Sequence, residues 1–159
     1  MSDFARSSVS RRQLLVAAGT GALVVGGGLT VAPRAAQAEA NEADAMLKKL
    51  VGDATPTEGK VQVKLPQIAE NGNTVPFTVT VDSPMTEKDY VKAIHVVAEG
   101  NPSPGVASFY LTPASGKAEV SMRMRLAKTQ NIRAVALMSD GKAYSGKQEV
   151  KVTIGGCGG

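Results

Sequence analysis

Four stretches of the chain alternate apolar and polar residues with a period of two. Val61, Val63 and Leu65 alternate with Gln62 and Lys64; Val75, Phe77, Val79 and Val81 alternate with Pro76, Thr78 and Thr80. Val120, Met122, Met124 and Leu126 alternate with Glu119, Ser121, Arg123 and Arg125, and Val150, Val152 and Ile154 with Lys151 and Thr153. Successive side chains of a strand point to opposite faces, so each stretch predicts a strand with one wet face. Residues 91–98 (VKAIHVVA) and 132–138 (IRAVALM) place apolar side chains on both faces, which predicts central strands or strands that face a partner. Residues 106–111 supply a shorter run. A 3.6-residue period survives only at 41–51 (NEADAMLKKLV), where acids come first and lysines last, the order that suits the helix dipole; one short helix closed by Gly52 is expected there.

Turn residues separate the runs at short intervals: Glu70-Asn71-Gly72-Asn73, Asp82-Ser83-Pro84, Gly100-Asn101-Pro102-Ser103-Pro104-Gly105, Pro113-Ala114-Ser115-Gly116 and Asp140-Gly141. About seven strands so spaced predict an all-β fold, an immunoglobulin-like β-sandwich with a short N-terminal helix and a flexible C-terminal arm. One cysteine cannot form the inter-sheet disulfide of antibody domains, so such a sandwich rests on apolar burial alone.

The first residues read differently. Ser10-Arg11-Arg12-Gln13-Leu14-Leu15 precedes an uncharged stretch over 14–32, then Pro33-Arg34 and the small-residue triplet Ala36-Gln37-Ala38. This is the pattern of a twin-arginine export signal carried by Arg11 and Arg12, with cleavage between Ala38 and Glu39. A retained membrane anchor is the alternative, but Gly19, Gly21, Gly26, Gly27 and Gly28 make the stretch weakly apolar and a poor helix. The expected organisation is a signal at 1–38, a sandwich with its leading helix at 39–154 and an arm at 155–159. The mature form is expected in the periplasm without a membrane span. Twin-arginine export carries folded proteins, which points to a cofactor, a fast-folding domain or a partner assembled before export; the sequence offers no cofactor site, which favours the partner.

Charge and composition narrow the chemistry. The formal net charge is +4, but +3 of it lies in the first 38 residues, so the remaining domain is nearly neutral and nucleic acid is not an expected partner. A single Cys and a single His exclude Cys₄ or Cys₂His₂ zinc sites, iron–sulfur ligation and a His₂Cys copper centre within one chain. No cofactor or metal is expected. His95, alone in an apolar strand, reads as a structural histidine rather than a catalytic base. Arg123 and Arg125 read as a solvated face, and Met122 and Met124 as core filler.

What remains is the segment Gly155-Gly156-Cys157-Gly158-Gly159. Glycines on both sides give the backbone freedom and leave nothing to bury the thiol. Three residues past Ile154 give the sulfur a reach of roughly 10 Å at about 3.3 to 3.6 Å per residue. A thiol so placed suits a covalent cargo. The alternatives are an intermolecular disulfide, which would give a Cys157-linked dimer, an incidental surface thiol, and a thiocarboxylate on the carboxyl group of Gly159.

These residues carry a resemblance. The twin-arginine signal, the terminal Val152-Thr153-Ile154-Gly155-Gly156-Cys157-Gly158-Gly159, and the segments Ile68-Ala69-Glu70-Asn71-Gly72-Asn73-Thr74-Val75-Pro76, Val81-Asp82-Ser83-Pro84-Met85, Ile94-His95 and Arg125-Leu126-Ala127-Lys128-Thr129-Gln130 resemble the SoxY family. These are sulfur-compound carrier subunits of the periplasmic Sox thiosulfate-oxidising system. The resemblance implies that Cys157 is the attachment point for sulfur intermediates (thiosulfonate, persulfide), with Gly155, Gly156, Gly158 and Gly159 as its swinging arm. It implies a non-enzymatic role and a heterodimer with a SoxZ-like immunoglobulin-like subunit. It also implies that a c-type cytochrome complex conjugates thiosulfate to the thiol, a dimanganese hydrolase releases sulfate, and a sulfane dehydrogenase, where present, oxidises what remains.

Overall fold

The computed structural model describes residues 34–156, with side chains from residue 40 onward, all in one unit of the chain. The expected signal arginines, Arg11 and Arg12, lie outside the described residues. Helix α1 (Arg34–Val51) leads into nine strands: β1 (Thr57–Glu58), β2 (Val61–Lys64), β3 (Ile68–Asn71), β4 (Val75–Val81), β5 (Val91–Ala98), β6 (Gly105–Tyr110), β7 (Glu119–Met124), β8 (Gln130–Met138) and β9 (Ala143–Ile154). A 3₁₀ turn (Pro113–Ser115) precedes β7. The larger sheet has the order β1-β9-β8-β5-β6, and β3 adds to the far end of β9; the smaller sheet is β2-β4-β7.

The seven expected strands are all present, and two more appear. β1 and β3 are two and four residues long, and both run parallel to β9, with Thr57 opposite Tyr144 and Ile68 opposite Lys151. Neither carries a period-two pattern long enough to stand out in sequence. β9 begins at Ala143, seven residues before its expected alternation. Gly146 lies in this first half because the β2 backbone crosses it: a Cβ there would stand 2.2 Å from the carbonyl oxygen of Val61.

The sheets face one another across a core that includes Val61, Val63, Phe77, Val79, Ile94, Val96, Ile132, Ala134 and Val150. A second, smaller core explains why β5 and β8 are apolar on both faces. Ala43, Leu47 and Val51, spaced four apart on α1, pack on Val97 of β5, Val135 of β8 and Ala143 of β9. Both strands are therefore central, sandwiched between the smaller sheet and the helix. Arg133 of β8 ties the layers together through ion pairs to Asp44 of α1 and to Glu99 just after β5. Burial of that guanidinium opposes its charge, but the hydrogen bonds and fields of the two carboxylates outweigh it and raise its pKa.

The helix starts earlier than the charge pattern predicts. Residues 34–40 (RAAQAEA) contain only good helix formers, so nothing stops propagation toward the N-terminus. The expected cleavage position, Ala38–Glu39, thus falls inside α1. The docking residues Ala43, Leu47 and Val51 all lie beyond it. Gly52, at φ +67°, ends the helix and donates its N–H to the Lys48 carbonyl at 3.0 Å. No helix among the described residues is long and apolar enough to cross a membrane.

Met122 departs from its expected role as core filler. Its register opposite Phe77 directs it to the inner face, yet 39% of it is exposed. β7 is an edge strand of the smaller sheet, and among the described residues no further strand covers that side. Met124, opposite Val75, is buried as expected.

His95 is buried in β5, with Nδ1 2.8 Å from the Ser108 hydroxyl and its ring edge-on to Tyr110. Burial pushes its pKa below the ordinary 6.5. The unfolded chain therefore binds a proton more readily than the native state, so this histidine's contribution is complete above about pH 6.5 and is lost as pH falls through the depressed native value. Between pH 7.5 and 5.5 the thermal midpoint of the protein is expected to fall more steeply than that of a His95→Gln variant. Parallel slopes in the two melts would remove the assignment.

Candidate functional site

The site is built where β9 ends. Because β3 runs parallel to the last residues of β9, with Ala69 opposite Val152 and Asn71 opposite Ile154, the turn after β3 arrives beside the outgoing chain. Asn71 shapes that turn by accepting the Asn73 N–H on Oδ1 at 2.9 Å. Three backbone hydrogen bonds then join three segments. Gly72 N–H donates to the Ile154 carbonyl at 2.7 Å, Leu126 N–H donates to the Gly72 carbonyl at 2.8 Å, and Gly156 N–H donates to the Leu126 carbonyl at 2.8 Å.

The close approach requires glycine. A Cβ on Gly72 would sit 2.2 Å from the Leu126 carbonyl oxygen and 2.7 Å from the Gly156 nitrogen. On Gly155 it would sit 2.1 Å from the Ala127 carbonyl oxygen, and on Gly156 it would crowd the Gly72 peptide at 2.9 Å. The first two glycines of the expected swinging arm thus serve contact as well as freedom: Gly156 is buried and hydrogen-bonded, while Gly155 is exposed but pressed against the Ala127 peptide. Cys157, Gly158 and Gly159 lie outside the described residues. Consecutive Cα atoms are about 3.8 Å apart. The reach expected from Ile154 therefore shrinks to that of a single residue while Gly156 is held.

Two buried amides support the segment that holds it. Gln130 accepts the Gly100 N–H on Oε1 at 2.7 Å and donates from Nε2 to Asn101 Oδ1 at 2.8 Å and to the Lys128 carbonyl at 3.1 Å. Asn101 accepts the Ala127 N–H at 3.0 Å and donates from Nδ2 to the Arg125 carbonyl at 2.9 Å. Thr129 Oγ1 accepts the Val152 N–H at 3.0 Å, tying the same segment to β9. Asn101 was legible in sequence only as a turn residue, Gly72 as a turn residue, Leu126 as the last apolar position of an alternating run, and Thr129 and Gln130 only as part of a resemblance; nothing in the sequence joined them into one site.

The remaining candidates stand apart from this junction. Arg123 is exposed on β7 and Arg125 is exposed just after it, where its carbonyl rather than its guanidinium serves the amide network. The polar and aromatic partners of His95 are Ser108 and Tyr110 of β6. Among the described residues no three His, Cys, Asp or Glu side chains are grouped to hold a metal.

The family model described as sulfur oxidation protein SoxY matches residues 47–157. Among solved structures, the sulfur carrier protein SoxY from Chlorobium limicola f thiosulfatophilum is 40% identical, with a TM-score of 0.62 over 72% of this chain and 99% of that one. Superoxide reductase (neelaredoxin) from Ignicoccus hospitalis is similar at 16% identity and a TM-score of 0.53, covering 59% of this chain and 80% of that one. A putative superoxide reductase from Thermotoga maritima is similar at 17% identity and 0.53, covering 61% and 93%. At such identities these two share the fold alone. A search of the curated proteins finds no match.

Proposed function

Since the chain belongs to the SoxY family of sulfur oxidation proteins, we propose that it carries sulfur intermediates covalently on Cys157 and presents them to separate enzymes. The observation that supports this most is the anchored Gly155-Gly156 pair, which leads the backbone out to the only cysteine in the sequence. A carrier needs a nucleophile at a defined exit and no competing catalysis.

In the proposed cycle the Cys157 thiol and thiosulfate lose two electrons and one proton as an S–S bond forms between them, giving a cysteine-bound thiosulfonate. A c-type cytochrome complex takes the electrons. Water then cleaves the terminal sulfone group as sulfate, releasing a proton and leaving a persulfide on Cys157. A sulfane dehydrogenase, where present, takes six electrons from that sulfur while it remains attached, as three waters add their oxygens and seven protons leave to give a cysteine-bound sulfonate; a second hydrolysis releases it as sulfate and restores the thiol. The chain itself turns nothing over. A periplasmic location after cleavage between Ala38 and Glu39, and a SoxZ-like partner exported with it, complete the proposal.

Intact-mass measurement of the mature protein from thiosulfate-grown cells, purified without reductant, tests it. The expected result is a chain beginning at Glu39, with reducible sulfur additions that map to Cys157, and a similar-sized partner co-purifying. A bare thiol, or only a symmetrical Cys157-linked dimer, under every growth condition would overturn it.

A further inference from the structure

We infer that Asn101 and Gln130 are positioning residues for Cys157, acting through the backbone clamp that fixes the point from which the thiol departs. Neither amide lies near the end of the sequence, and both are buried. Their hydrogen bonds converge on one short segment. Asn101 holds the carbonyl of Arg125 and the N–H of Ala127, the residues on either side of Leu126, and Gln130 holds the carbonyl of Lys128. The peptide groups flanking Leu126 are thereby fixed in direction, and with them the Leu126 carbonyl that receives the Gly156 N–H.

The network is directional. Asn101 Oδ1 receives two donors, Gln130 Nε2 gives to two acceptors, and Gln130 Oε1 takes the N–H of Gly100. Reversing either amide would set donor against donor, so one arrangement satisfies every partner. A fully satisfied buried pair of this kind rigidifies its surroundings and specifies a single geometry.

Resting on the carrier reading, the consequence is that an enzyme meets the thiol one residue from a fixed rim. With the clamp open, residues 155 and 156 must be ordered at every encounter. That cost falls on association, and it raises KM for the carrier without changing the step that follows.

The test uses the full mature chain with its co-purifying partner and two variants that open the clamp from different sides. Gln130→Met keeps the volume and removes three hydrogen bonds; Gly72→Ala drives a methyl group into the Leu126 carbonyl. In the native protein the Gly156 and Leu126 amides are expected to be protected from hydrogen exchange. In both variants that protection is lost, while amides of Ile94 and Ile132 in the core stay protected. With each variant as substrate of the thiosulfate-conjugating cytochrome, KM for the carrier is expected to rise by about tenfold with kcat unchanged. A small alkylating reagent should modify Cys157 at the same rate in all three proteins.

Rapid exchange at Gly156 in the native protein would overturn the inference, and so would an unchanged KM in variants that have lost that protection. If one variant fails to fold, the other and the native exchange pattern still decide. Failure of the carrier reading is distinguishable, because it shows as native Cys157 that never acquires sulfur, whatever the Gly156 amide does.

Discussion

Replacing Cys157 with Ser is expected to abolish thiosulfate-dependent oxygen uptake completely while leaving the thermal midpoint unchanged. The loss is total because the sequence holds one cysteine, so no second thiol can take the cargo. A hydroxyl does not form the sulfur–sulfur bond on which the proposed carrier cycle depends, and its ionisation lies far outside the range in which a thiolate is available. Stability is unaffected because the clamp uses the N–H of Gly156 and backbone groups of Gly72, Leu126 and Ile154, and the buried apolar residues of the two cores lie between Ala43 and Val150. A substitution outside such features changes stability by about 0.5 kcal/mol or less. Oxygen uptake by cells carrying only the variant, together with a melt of the purified protein, checks both halves. Retained uptake would sink the carrier assignment, and a large drop in midpoint would show that the side chain has a packing role.

That residue was legible in the sequence because its chemistry is local: a thiol between paired glycines needs no fold to be noticed. The strands with a clear period of two were legible for a related reason, since the alternation of Val75, Phe77, Val79 and Val81 is enforced by a core on one side and solvent on the other. Legibility stopped where tertiary contact sets the structure. Ile68-Ala69-Glu70-Asn71 has no period, and it is a strand only because the end of β9 lies alongside it. Met122 follows the inward pattern, but sequence cannot say that β7 is an edge. The two-faced apolar runs left open whether a partner covers them, and a helix 40 residues or more away in sequence supplies the second cover. Asn101 and Gln130 were hidden most completely: a buried amide is read as a loop residue until the backbone groups it satisfies, on segments 24 to 30 residues distant, are brought to it.

Leu126→Ala is expected to be the most destabilising of the changes considered. The side chain is fully buried between the sheets, and its own peptide group is a member of the clamp. Truncating a buried leucine costs about 2 to 5 kcal/mol, from lost transfer and the cavity left behind. Against a total of about 5 to 15 kcal/mol for a domain this is a large share. At about 4 °C per kcal/mol, between the values for smaller and larger domains, the midpoint should fall by about 8 to 20 °C. The backbone N–H and C=O of residue 126 survive the substitution, and so do the amides that aim them. In the folded variant the Gly156 N–H therefore keeps its acceptor, and its exchange protection should decline only as far as global stability does. This is the reverse of Gln130→Met, which should release Gly156 while the core stays closed. Thermal melts and site-resolved exchange on the two variants separate the roles. If Leu126→Ala released Gly156 while Ile94 and Ile132 remained protected, the side chain and not the amide pair would be holding the clamp, whereas a midpoint shift below about 2 °C would contradict its place in the core.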